Sequence, residues 1–191
     1  KTYRNIFSFG RNFFIRTPSI IWIILIHFSM SAFLFKEYLF GTRIFIYTDV
    51  AQDSYFYIFP NLWWLCKNYS LSSILGWVPE FGLGFAPFFG SLLRISFVDP
   101  FIHLIALMGV SRLEYSIALT AFLKVFFSGI FFFLYLRNRK ISIYTSLITS
   151  LLYAYSGQML VRLGWFHYGT EMVFFPLLLL SLDKFVNCRN F

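Results

Sequence analysis

Apolar positions in this chain run in long stretches rather than in the short alternation of a half-buried strand or the narrow stripe of a water-soluble helix. Pro18 to Phe35 is apolar apart from His27 and small serines. As a helix it would reach about 27 Å, close to the thickness of a bilayer's hydrocarbon core. Thr17 and Pro18 open it in the way helices open, with a hydroxyl cap and a proline at the first position. Tyr115 to Leu136 is the strongest apolar run and ends at a basic block, Arg137-Asn138-Arg139-Lys140. Ile141 to Leu163 is more polar, with a face of Ser, Thr, Tyr and Gln suited to packing on protein or lining a cavity. Trp165 to Val186 follows, with Pro176 placed to kink it. The pattern predicts an all-α polytopic membrane helix bundle of about four spans.

Basic residues orient these runs. Lys1, Arg4, Arg11 and Arg16 precede the first run with no acid among them, and residues 1–16 read as a cytoplasmic leader. A cleaved signal peptide is the rival reading, but its apolar core is about 7–15 residues and this run is longer. Placing 137–140 in the cytoplasm as well makes residues 36–114 one extracytoplasmic region and brings both ends of the chain to the cytoplasmic side. The chain reads as one transmembrane domain over 1–191, a fragment or one part of a larger bundle.

The outer region holds no further run long enough for an ordinary span. It contains Asp49, Gln52 and Asp53 at i, i+3 and i+4, which on a helix share one face. Tyr55, Phe56, Tyr57, Phe59, Trp63 and Trp64 follow, an aromatic set suited to a membrane–water interface; residues 49–66 are expected to form an amphipathic helix along the membrane surface, with Tyr55, Phe56, Phe59 and Trp63 turned to the bilayer or the bundle. A stretch broken by glycine and proline occupies 76–90. Asp99-Pro100 then opens a short apolar run to Val110, which reads as an interfacial or re-entrant helix.

Composition agrees with a membrane location and narrows the chemistry. Of 191 residues 59% are hydrophobic and only 13% charged, against about 25% charged in soluble domains. The net charge of +8 comes from basic residues at the ends of apolar runs, so it implies a membrane partner rather than nucleic acid. Cys66 and Cys188 fall on opposite sides in this topology, so no disulfide is expected. Metal-ligand spacing, a nucleophile elbow and a phosphate-cradling glycine loop are all lacking in the sequence.

Several short motifs recur in an ordered series: Asp49-x-x-Gln52, Gly82-Leu83-Gly84, Asp99-Pro100, Lys124 within a span ending Phe133-Leu134-Tyr135-Leu136-Arg137, Leu152-Tyr153-Ala154-Tyr155-Ser156-Gly157, and His167 before Pro176-Leu177. Their order over residues 15 to 188 resembles the N-terminal part of the bacterial YfhO membrane-protein family. That family is similar in architecture to the GT-C glycosyltransferases, whose long first outer loop carries an acid and interfacial helices. The resemblance implies a multi-pass protein of the bacterial plasma membrane. It would move a sugar from a polyprenyl-phosphate carrier to a cell-surface polymer of teichoic-acid type on the outer face. A lipid or polymer transporter (a flippase) and a non-catalytic membrane scaffold are the alternatives.

The resemblance makes Asp49 the general base that takes a proton from the acceptor hydroxyl, or the holder of a divalent cation, the one cofactor in view. Its plainer role is an N-cap, with Gln52 completing the box. Gln52 and Asp53 are expected to contact substrate, with Asp53 alternatively a partner for Arg43. Lys124 lies inside a span, where a charge costs roughly 3 kcal/mol. It is expected to meet a substrate phosphate or a structural carboxylate such as Glu171. Arg162 is a candidate phosphate fork, and His167 and Glu171, at i and i+4, share a face for acceptor or sugar. For Lys124, Arg162, His167 and Glu171 a structural role stands open beside the functional one.

Overall fold

The computed structural model describes residues 17–46, 54–70, 77, 99–164 and 166–189. Among them all regular structure is helical and no strand occurs. The elements are α1 (Thr17–Leu39), a π-helical turn (Ser54–Ile58) running into α2 (Phe59–Lys67), α3 (Pro100–Met108), a 3-10 turn (Val110–Arg112), α4 (Leu113–Asn138), α5 (Ile143–Ala154), α6 (Gly157–Arg162) and α7 (Phe166–Arg189). Two stretches, Ile20–Leu39 and Val110–Asn138, are long and apolar enough to cross a membrane.

The fold is built around α4, against which α1, α3, α5 and α7 all pack. Its buried positions include Ser116, Thr120 and Ser128, whose hydroxyls donate to the carbonyls of Leu113, Ile117 and Val125 on their own helix. Small side chains that satisfy themselves locally let neighbouring helices approach closely. On α1 the buried residues are Ile23, His27, Ser31 and Phe35, one stripe at four-residue spacing. The rest of α1 presents Trp22, Leu25, Phe28, Phe33 and other apolar side chains outward. A helix apolar on every side matches a lipid surrounding, not water.

Side-chain contacts give the helix directions. Phe28 meets Phe122 and Phe126, and His27 lies against Gly129, so α1 runs antiparallel to α4. Arg139 just past α4 pairs with Asp183 near the end of α7 at 3.3 Å, so these two helices run the same way. The α4–α5 turn is held by Arg137, which donates to the Ile141 carbonyl, and passes through Lys140 at φ 60.

The short helices form a layer over the first turns of α4. Leu62, Trp64 and Leu65 of α2, Ile102, Ile105 and Ala106 of α3, and Leu113 and Ile117 of α4 make one apolar cluster. Gly109 at φ 77 lets the chain reverse between α3 and α4, a conformation that suits glycine. The surface-helix expectation placed Tyr55, Phe56, Phe59 and Trp63 against bilayer or bundle. Tyr55, Phe56 and Trp63 are exposed and Phe59 half-buried, while Trp64 is the ring sealed inside. The beginning of that predicted helix, at residues 49–53, lies outside the described residues.

The third predicted span is not one helix. It breaks at Tyr155 and Ser156, where Ser156 takes an extended backbone (φ −63, ψ 149) and its hydroxyl accepts from Met159 N to start α6. A serine that can cap a new helix competes with continuing the old one.

Pro176 sits inside α7 and is fully buried. Proline has no N–H to offer the carbonyl four residues earlier, that of Met172. The Tyr153 hydroxyl of α5 donates to that carbonyl at 2.7 Å, and its ring stacks on Phe132 of α4 with centroids 4.3 Å apart. The acceptor orphaned by proline is thus satisfied from a neighbouring helix.

Candidate functional site

The site grows from the start of α3. Pro100 stands in the first turn and Asp99 before it is extended, so the Asp99 carboxylate folds back and accepts from Phe101 N at 2.8 Å. Its other oxygen accepts from the Thr170 hydroxyl of α7 and lies 3.6 Å from the Lys124 ammonium of α4. Both charged side chains are sealed, at 2% and 3% exposure. The ammonium also stands 5.3 Å from the centre of the Phe101 ring. Gly169 of α7 faces the lysine stem across space that a methyl group would fill: a Cβ placed there would lie 3.5 Å from Lys124 Cδ, an ordinary contact.

Three helices therefore converge on one carboxylate through a backbone N–H, a hydroxyl and an ammonium. A buried pair persists only when its remaining bonding capacity is satisfied in this way. Chemically the arrangement is an occupied anion site, with Asp99 as its anion.

Of the partners expected for Lys124, a structural carboxylate faces it, but not Glu171: Glu171 is exposed, and the described carboxylate beside Lys124 is Asp99. Asp99 and Thr170 were missed as site residues. The sequence signal for Asp99 was its position before proline at the head of an apolar run, which marks a cap; nothing in the sequence links a cap to a lysine in another helix.

Asp49, Gln52 and Asp53 lie outside the described residues. Arg43, considered as a partner for Asp53, meets Glu37 at 2.8 Å on the surface. Arg162 is half-buried on α6; with the Gln158 amide turned so that donors face acceptors, the Gln158 oxygen accepts from its Nε and Nη2, each at 2.6 Å. His167 belongs to the first turn of α7, and its side chain is outside the described set. Among the described residues no cluster of three or more His, Cys, Asp or Glu is placed to hold a metal.

A second polar cluster joins α1 to α5, at a histidine that carries no expected role. His27 is fully buried with Nε2 3.0 Å from Ser150 Oγ. Ser150 donates its one proton to the Leu147 carbonyl at 2.9 Å, so its oxygen accepts from His27, which carries its proton on Nε2. Nδ1 then has no hydrogen-bond partner among the described residues and faces Gly129, where a Cβ would come within 2.4 Å of the ring. Close by, the Tyr155 hydroxyl meets Ser31 Oγ at 2.8 Å and donates to the His27 carbonyl at 3.1 Å. At the α2–α3 layer Tyr69 and His103 Nδ1 are 2.7 Å apart.

Comparison with protein-family models, with curated proteins and with solved structures returns no match to this chain in any of the three.

Proposed function

We propose that this chain is the N-terminal part of a multi-span bacterial plasma-membrane protein with a GT-C-like plan. In this reading it transfers a sugar from a polyprenyl-phosphate carrier to a cell-surface polymer on the outer face. The four spans are α1, α4, the interrupted α5–α6 pair and α7, with both ends cytoplasmic. Asp49 acts as the general base, with Gln52 and Asp53 beside it.

The observation that supports this reading most is the layer of α2 and α3. Each is nine residues long, too short to cross a bilayer, and the two are folded together over the first turns of α4. The Asp49 stretch immediately precedes this layer in sequence. A rigid shelf of short helices at one end of a bundle is a place where a lipid-borne donor and a water-borne acceptor can meet. Of the two roles expected of Lys124, the pairing with Asp99 supports the structural one, in which it holds α3 to α4.

A second reading, a transporter of lipid or polymer, is favoured by one observation. Lys124 lies about 16 Å along α4 from Leu113, near the middle of a core about 30 Å thick. Helices that begin or break inside a bundle, together with ionisable residues at mid-depth, are features of transporters. Here α3 begins at the pair, and the α5–α6 break packs through Ala154 and Met159 in the same cluster as Phe101 and Val125.

The test is transfer of labelled sugar from a polyprenyl-phosphate donor by the full-length protein with and without Asp49→Asn. Loss of transfer in a folded variant supports the enzyme, and undiminished transfer removes Asp49 from the mechanism. Movement of the lipid carrier across vesicles without any transfer selects the second reading.

A further inference from the structure

We infer that the first turns of α7, Phe166 to Met172, form a gate over the Lys124–Asp99 pair, hinged at Pro176. Three observations define it. First, the segment covers one side of the pair: Gly169 faces the lysine stem and Thr170 bonds the carboxylate. Second, α7 runs unbroken from Phe166 to Arg189 but lacks one backbone rung just below the segment, because Pro176 cannot donate to the Met172 carbonyl. A helix bends most readily at such a missing rung, and the part beyond it is tied separately through Asp183 to Arg139. Third, the carbonyl freed by proline is held by one side chain from another helix, Tyr153, at 2.7 Å.

Among the described residues the upper segment carries two side-chain latches, Tyr153 to Met172 O and Thr170 to Asp99, next to Met172 and Val173 of the core. A helix that pivots at a proline while its far end stays anchored is a hinge whose open state costs few hydrogen bonds. Opening would remove the cover from Lys124 and take a donor from Asp99. It is the route by which a lipid-borne phosphate could replace Asp99 against the ammonium. That use rests on the transfer reading above; the hinge does not.

Backbone hydrogen exchange of the full-length protein in lipid nanodiscs tests it. Tyr153→Phe should speed exchange over residues 166–172 roughly three- to tenfold, the loss of one net hydrogen bond, and leave 177–189 unchanged. Pro176→Ala, which restores the N–H, should slow exchange over 166–172 below the parent protein. Uniform exchange along all of α7 in the parent and both variants would overturn the gate. Adding a polyprenyl phosphate to the nanodiscs should speed exchange at 169–172. A hinge that responds to both variants but not to this lipid removes the phosphate from Lys124 and leaves the hinge standing.

Discussion

Lys124 and Asp99 face each other at 3.6 Å in a part of the bundle closed to water, and each is the other's reason for being tolerable there. Removing one partner leaves the other charge buried, which costs about 3–5 kcal/mol, whereas replacing both can be neutral. Asp99→Asn keeps a good helix cap but strands the ammonium, so it should destabilise the protein by about that amount. Lys124→Met should do the same by stranding the carboxylate. The double variant should recover most of the loss. Thermal unfolding of the four proteins in one detergent completes the cycle, and simple additivity of the two losses would show that the pair is not coupled.

Gly129 is required by His27. A methyl group at that position would meet the imidazole ring at 2.4 Å, and neither the α4 backbone nor the ring bonded to Ser150 can give way freely. Gly129→Ala should cost roughly 1–3 kcal/mol, the usual penalty for overpacking a core. Adding His27→Ala should relieve the clash, so the double variant melts above the sum of the two single losses. Gly169→Ala is the contrast: its methyl would make ordinary contacts at 3.4 Å and beyond, and the melting temperature should barely move.

Cys66 on α2 is half-buried, with Sγ 3.5 Å from the Ile105 carbonyl. Burial disfavours the thiolate and pushes the thiol up to about 11 from 9.0. Only the thiolate is alkylated, so at neutral pH Cys66 should react with iodoacetamide about ten- to a hundredfold more slowly than a free cysteine. The rate should climb steeply as pH rises from 9 towards 11. A Cys188→Ser background isolates the measurement, and a rate matching free cysteine at pH 7.5 would contradict the burial.

The helix directions fix which ends belong together. Lys67 and Arg139 are both exposed and stand near opposite ends of α4, whose 26 residues span about 39 Å. In a cysteine-free background the proposed topology, with the basic block at 137–140 in the cytoplasm, expects Lys67→Cys to react with an impermeant maleimide on intact cells and Arg139→Cys only after lysis. The reverse pattern would invert the topology.

The sequence by itself determined the helical class, the long apolar runs of α1 and α4, the start of a helix at Asp99-Pro100 and the proline in α7. These are local matters: hydrophobic length, capping chemistry and the missing N–H act within a few residues of chain. It also marked Lys124 as a residue in need of an anion, because a charge in an apolar run is costly whatever surrounds it. The tertiary structure decided which anion. Asp99 and Thr170 reach Lys124 from different helices, and no spacing along the chain encodes that meeting. The same holds for Tyr153, whose hydroxyl serves the carbonyl left open by Pro176, and for Gly129, whose lack of a side chain seats His27. The break at Tyr155–Ser156 lies between these cases: the serine cap is written in the chain, but a run long enough to span a bilayer masks it, and only the packed structure shows Ser31 and the His27 carbonyl holding the Tyr155 hydroxyl.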